Sequence, residues 1–355
     1  MKNMNMRYPA IEVAVVRSVV SAACHINTPS CCMSTLIPEA RLPSDALGVR
    51  RLEFRALGTD CQIKFREAND GRALQFAADA LDWIGKFETK FSRFRPDSMV
   101  SRINAAAGRA WVDTDAETEQ LLDIADGLFR LTEGILDSTM LPLLRVWDWK
   151  KAHEKLPDQI SVAKALSLVG WGKVQRRPGG VSLPEEGMGL DFGGFGKELA
   201  VDALAKIARN AGLRDVLVDL GRDVFAMGGN GAHPFWHVGI EDGNQPGKCW
   251  GGLAISDRAV SASGNYARQF SHHGVSYGHI IDPRTGWPVS NRMSAVTVVA
   301  RTCLEAGIYS TAVFVLGTQK GLELASRAQG VSVCSQTVDG IDGSRDFGQW
   351  LVQGA

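Results

Sequence analysis

No stretch of the sequence reaches the roughly 18 uninterrupted apolar residues that a membrane-spanning helix requires. Neither sign of charge is in excess: 39 Lys and Arg face 39 Asp and Glu, so the net charge is zero. The basic footprint of a nucleic-acid-binding protein is therefore missing. Cysteine is sparse. The seven are Cys24, Cys31, Cys32, Cys61, Cys249, Cys303 and Cys334, an odd number with no CxxC pair. That excludes a disulfide framework and a zinc ribbon, and leaves buried or incidental thiols. There is no internal repeat and no low-complexity tract.

What is present is an ordinary globular composition. The chain has 355 residues, 45% hydrophobic and 22% charged, enough for one large domain or two of ordinary size. The weakly apolar stretch from Ile11 to Cys24 is interrupted by Glu12 and Arg17, which a secretory h-region would not tolerate. Ser21-Ala22-Ala23-Cys24 is similar to a lipoprotein cleavage site but has no aliphatic residue three before the Cys. Residues 1–48 are expected to be a flexible tail, coding sequence ahead of a start at Met33, or a degenerate signal. Residues 49–355 are expected to be the folded domain. The cytoplasm is the preferred compartment, with a periplasmic or lipid-anchored location as the alternative.

Strand-like alternation runs over Arg51–Phe65 with a break at Gly58-Thr59. Helical spacing follows in Leu74–Phe94 and Thr118–Leu131, Pro142 is read as ending an apolar stretch, and Ser161–Leu168 is a short helix. A strand is expected to lead into Asp191-Phe192-Gly193-Gly194-Phe195-Gly196-Lys197, and a helix over Lys197–Ala211 to leave it. Strands are predicted at Asp215–Leu220, Val224–Met227, Trp236–Glu241, Gly252–Ile255, Ala267–His272, Ala295–Ala300 and Val331–Ser335. Helices are predicted at Glu305–Leu316 and Gly321–Ala328. Strands and helices do not alternate as βαβ units, so the fold class is α+β, a single large mixed domain.

Four segments carry residues suited to chemistry. The glycine loop lets backbone N–H groups approach an anion at a helix start, although a tight strand-to-helix turn would look the same. Lys197 at that start opposes the helix dipole, which points to an anionic ligand. The loop is not a Walker A motif, because Asp191 stands where Gly is needed and Glu198 follows the Lys. His279-Ile280-Ile281-Asp282-Pro283-Arg284-Thr285-Gly286 is a turn with more polar and charged groups than a hairpin needs, and Ala262-Ser263-Gly264-Asn265-Tyr266 precedes it. Ser92-Arg93-Phe94 mixes hydroxyl, base and aromatic after a helix. Leu136-Asp137-Ser138-Thr139 is a helix exit whose Asp also suits an N-cap.

Taken in this order, from about Leu57 to Gly317, these segments resemble the ApbE family, the FAD:protein FMN transferases. The elements that carry the resemblance are Gly58-Thr59, Ser92-Arg93-Phe94, the Asp137 turn, Leu190–Lys197, Ser263-Gly264-Asn265-Tyr266 and, most specifically, His279–Gly286. The resemblance implies a T-fold-like α+β domain that binds FAD and Mg²⁺, splits the pyrophosphate and moves FMN to a Thr or Ser of a target protein. By resemblance, Leu57, Ser92, Phe94, Asp137, Asp191, Lys197, Ser263, Gly264 and Ile280 bind FAD. His279 and Asp282 are the catalytic candidates, with His279 as proton acceptor. The Gly194 carbonyl, Ser310 and Thr311 would hold the metal. An FAD-binding carrier without transfer activity and an FAD pyrophosphatase are the alternatives.

One position departs from the family. Its metal helix reads Ala-Asp-x-x-x-Thr, with Asp and Thr on one face; here Ala306 is followed by Gly307. Mg²⁺ prefers carboxylate, so a weaker site is expected, and Gly307→Asp is expected to strengthen the dependence on Mg²⁺. Glu305 should turn away from Thr311. The family's Gly-Gly-Asp is also altered, to Gly221-Arg222-Asp223.

Overall fold

A computed structural model describes residues 42–148, 156–265, 269–273 and 275–352. The expectations for residues 1–41, for Cys24, Cys31 and Cys32, and for Tyr266 lie outside these residues. Along the chain come strands Val49–Ala56 (β1) and Thr59–Arg66 (β2), then helices Asp70–Phe91 (α1) and Met99–Ala105 (α2). Val112–Asp113 (β3), Ala116–Leu131 (α3), Leu141–Val146 (α4), Gln159–Ser167 (α5), Gln175–Arg177 (β4), Gly180–Ser182 (β5) and Gly196–Asn210 (α6) follow. Strands Val216–Leu220 (β6), Asp223–Met227 (β7), Trp236–Glu241 (β8), Cys249–Ile255 (β9), Arg258–Gly264 (β10), Gln269–His272 (β11), Val275–Gly278 (β12) and Met293–Ala300 (β13) come next. Cys303–Leu316 (α7), Thr318–Ser326 (α8), Ser332–Thr337 (β14) and Gly340–Gly343 (β15) close the chain.

The main sheet has eight strands in the order β1-β2-β6-β7-β10-β13-β14-β15. Every neighbouring pair in it is antiparallel. Alternation along the strands sorts the side chains to two faces. Val216, Val218 and Leu220 of β6 face α1, α6 and α7, whereas Leu217 faces the β8–β9 hairpin. By the same period Ser261 and Ser263 share the helix-side face of Ala259 in β10. A second core joins the end of α1 to α2, α3, residues 183–195 and the far half of α7. The partly buried Leu57, Trp83, Ile280, Val289 and Leu324 pack against both cores, so they mark the seam between them.

The α+β class holds, with three corrections in detail. Pro142 begins a helix, since it sits in the first turn of α4 where no N–H is needed. No ladder strand leads into the glycine loop. The Asn104 side chain takes the place of a neighbouring strand, accepting from Leu190 N at 2.6 Å and donating to Leu190 O at 3.0 Å. Strand β10 had no forecast, because its small polar residues do not form an apolar run.

Helix α3 provides a test of local stability. Asp115 caps it, accepting from Thr118 N at 3.0 Å, and Lys90 reaches the same carboxylate at 2.7 Å. The Lys90 hydrogen bond, helped by those from Thr118, lowers the Asp115 carboxyl to about 2. Because the folded state holds this proton more weakly, the stabilisation is complete above the ordinary carboxyl range and fades as pH falls towards 2. Asp115→Ala should cost about 1 kcal/mol near neutral pH. Urea titrations of the two proteins should converge as the pH is lowered from 5 to 2, and a constant gap would exclude the cap as the cause.

Candidate functional site

Residues 190–197 join two groups of side chains. On one side, Asp191 N donates to Ser138 O at 2.8 Å, Asp191 pairs with Arg93, and Asp191 Oδ1 accepts from Gly193 N at 2.5 Å. This brings the Ser92, Asp137 and glycine-loop segments to one place. A Cβ at Gly193 would lie 2.7 Å from Asp191 Oδ1, so that glycine is required by the protein itself. Gly194 and Gly196 are different: their φ angles are ordinary and a Cβ at either would meet nothing. Gly194 is exposed, and its missing side chain leaves backbone open to approach from outside, whereas Gly196 is buried and its N–H donates to Phe192 O at 2.7 Å. The loop ends at α6, whose first turn has no side-chain cap. The positive helix end beside the exposed Gly194 suits an anion, while the Phe195 and Gly196 N–H groups are taken by Phe192 O.

On the other side, Lys197 ion-pairs with Asp223, and Asp223 Oδ1 accepts from Ser261 Oγ at 2.5 Å. Burial pulls the Lys197 ammonium down, but the Asp223 and Glu198 carboxylates outweigh it and hold the group above its ordinary value. Lys197 therefore faces a protein carboxylate that its sequence position did not reveal. Next to this pair the Ser263 hydroxyl lies 2.9 Å from Ser310 Oγ and 3.2 Å from Thr311 Oγ1. Gly264 extends the same strand and pairs with Ala295.

Gly307 packs directly on Glu198. A Cβ at 307 would lie 2.5 Å from Glu198 Cγ and 2.8 Å from Oε1. The expectation that an aspartate at 307 would simply restore a metal ligand is thus corrected: the space is filled. Glu198 is 7% exposed, and its Oε2 meets no donor of the protein. Burial, with the Asp223 charge next, pushes its carboxyl up to about 8. Glu305 turns away as expected: its N–H donates to the Thr302 cap at 3.1 Å and its carboxylate accepts from Arg301 N at 3.3 Å. Among the described residues no group of three or more His, Cys, Asp or Glu could hold a metal ion.

The His279 segment is a stiff turn. Val289 N donates to Ile280 O at 2.8 Å and Asp282 N to Trp287 O at 2.9 Å. Asp282 receives Arg284 through Nε at 2.9 Å and Nη2 at 2.7 Å, so its carboxylate holds the turn. Gly286, with φ +75°, accepts from the buried Trp147 Nε1 at 2.8 Å. Ile280 and Leu57 both lie at the seam of the two cores. Leu57 and Gly58 have φ of +52° and +73°, the two-residue type I′ turn between β1 and β2. A leucine in that conformation is strained, and Glu88 Oε1 secures it by accepting from Leu57 N at 3.1 Å.

The remaining candidates are placed less centrally. Ser92 caps the end of α1, and its hydroxyl accepts from Phe94 N at 3.3 Å. Phe94 is 79% exposed with the Arg93 guanidinium 4.1 Å from its ring centre. Asp137 binds backbone N–H groups with both oxygens, from Thr139 at 2.8 Å and Trp171 at 3.0 Å; it ties a turn to a distant segment and is not the N-cap of α4, which is Met140. Sequence reasoning named Arg93 only as the base of its segment, without its partner Asp191, and gave no role to Asn104, Ser261 or Glu198. No local pattern signalled Glu198, because its neighbour Gly307 lies on a different helix and the two meet only through packing.

Comparison with known proteins identifies the family. The model of the ApbE family matches residues 57–335. The FAD:protein FMN transferase of Salmonella typhimurium is 30% identical over 313 residues, 83% of this chain and 86% of that protein. The protein of the same name from Vibrio cholerae is 28% identical over 77% of this chain and 83% of its own length. The crystal structure of the apbe protein from Thermotoga maritima superposes with a TM-score of 0.77 and 27% identity, covering 86% of this chain and all of that one.

Proposed function

From the premise that the chain belongs to the ApbE family, we propose that it is an FAD:protein FMN transferase. The observation that carries this is the exposed backbone at Gly194 just before the uncapped start of α6, together with the hydroxyl cluster of Ser263, Ser310 and Thr311. That arrangement suits a dinucleotide pyrophosphate. Leu57 and Ile280 at the seam would contact the flavin, with Ser92, Phe94 and Asp137 towards its other parts. Asp191 and Lys197 fix the loop that positions the phosphates.

In the proposed reaction a Thr or Ser hydroxyl of the target attacks the phosphorus on the FMN side. The new oxygen–phosphorus bond forms, the bond to the bridging oxygen breaks, and AMP leaves with that electron pair. His279 accepts the hydroxyl proton. Asp282 acts as a positioning residue, through Arg284 and the turn. The donor set proposed at Gly194, Ser310 and Thr311 is all oxygen, and the buried Glu198, packed on Gly307 one turn before Thr311, has an Oε2 that meets no donor of the protein; such groups would suit a hard cation such as Mg²⁺. When bound, the cation would neutralise charge developing on the pyrophosphate.

The test uses the full chain, FAD, Mg²⁺ and a target domain that the Salmonella typhimurium relative modifies. After denaturation the target band should fluoresce as flavin, and replacing its acceptor Thr by Val should abolish the signal. AMP release with an unlabelled target would indicate a pyrophosphatase. FAD recovered intact would indicate a carrier.

A further inference from the structure

We propose that Glu198, on α6, supplies the metal-binding carboxylate that helix α7 lacks at position 307. The inference rests on the transferase reading and deepens it at one residue. Helices α6 and α7 pack through small residues, and Gly307 is the point where Glu198 crosses between them. The carboxylate occupies the place a side chain at 307 would take, with its Cγ and Oε1 at 2.5 Å and 2.8 Å from where a Cβ would stand. It therefore sits on the 307–311 face of α7, one turn from Thr311, where the fourfold spacing places metal-facing groups together.

The neighbouring acids are already engaged. Asp223 holds Lys197 and Ser261. Asp202 accepts from Cys303 N at 2.7 Å and Leu304 N at 2.9 Å, capping α7. Asp219 accepts from Arg222 N at 2.9 Å. Glu305 accepts from Arg301 N at 3.3 Å at the start of α7. Glu198 alone in this group has a buried oxygen, Oε2, that meets no donor of the protein. Such an oxygen is costly to bury unless something compensates it. A divalent cation is a compensating partner of the right sign. Mg²⁺ sites commonly use one or two carboxylates with substrate phosphates, so a single Glu with hydroxyl and carbonyl oxygens is a sufficient protein contribution.

The substitution pattern follows from the geometry. Gly307→Asp alone puts two carboxylates into one space and should not tighten metal binding. Moving the acid from one helix to the other, in the double variant E198G/G307D, should. The experiment titrates Mn²⁺ into the full chain with FAD and reads bound metal by electron paramagnetic resonance, with circular dichroism to confirm folding. Wild type should bind Mn²⁺. E198Q, the same shape without the charge, should bind at least about tenfold more weakly. E198G/G307D should recover binding that E198Q has lost. Wild-type affinity in E198Q, or no recovery in the double variant, would overturn the assignment of Glu198. No Mn²⁺ bound by the wild type would instead overturn the metal-dependent reading itself, and the assignment with it.

Discussion

His279→Asn should lower the rate of FMN transfer about 10²–10⁴-fold, the usual contribution of a positioned general base. Asn keeps a polar side chain of similar reach but cannot take a proton at neutral pH. The loss should appear in kcat, while FAD affinity, followed by flavin fluorescence, stays near that of the wild type. The reason for a clean effect is the rigidity of the turn. The Ile280–Val289 and Asp282–Trp287 hydrogen bonds, the Arg284 fork on Asp282, and Trp147 below Gly286 hold the backbone independently of the imidazole. A transfer rate within about tenfold of wild type would remove His279 from the role of proton acceptor.

The second large effect concerns stability. Asp223→Ala should destabilise the fold by about 3 kcal/mol, because it removes the buried carboxylate that Lys197 pairs with and that accepts from Ser261. The figure lies at the lower end for a broken buried pair, since the Lys197 side chain keeps 31% exposure against 4% for Asp223. Urea denaturation would measure it. A double change to Lys197→Met and Asp223→Leu removes both charges and should recover much of the loss, as buried pairs often can be replaced by apolar groups. If the single variant costs less than about 1 kcal/mol, the pair behaves as a surface contact.

Much of the fold was legible because its elements are strongly periodic. The hairpin break at Gly58-Thr59 and the helices α1, α3 and α6 follow patterning that tertiary packing then uses, whereas α7 is buried on nearly every side and was legible as an apolar run. The short strands β3, β4 and β5 and the small-residue strand β10 carry no such period, and their pairing is set by partners distant in sequence. Likewise a single side chain, Asn104, replaces a ladder strand before the glycine loop, and no local pattern announces that.

The candidate site was legible where turn chemistry is dense, at Asp191–Lys197 and His279–Gly286. It was not legible where function depends on contacts between helices. Lys197 stood out as a cation at a helix start, but its partner Asp223 lies in a strand 26 residues later. Gly307 stood out as a missing carboxylate, but the acid that fills the gap comes from a different helix. Spacing along one helix can show that a ligand is absent; only packing shows what has replaced it.

The central claim is transfer, and it is tested most directly by counting both products of one reaction. With FAD, Mg²⁺ and a target domain, AMP released and flavin bound to the denatured target should rise together in equal amounts. AMP rising over an unlabelled target, or FAD remaining whole, would contradict it.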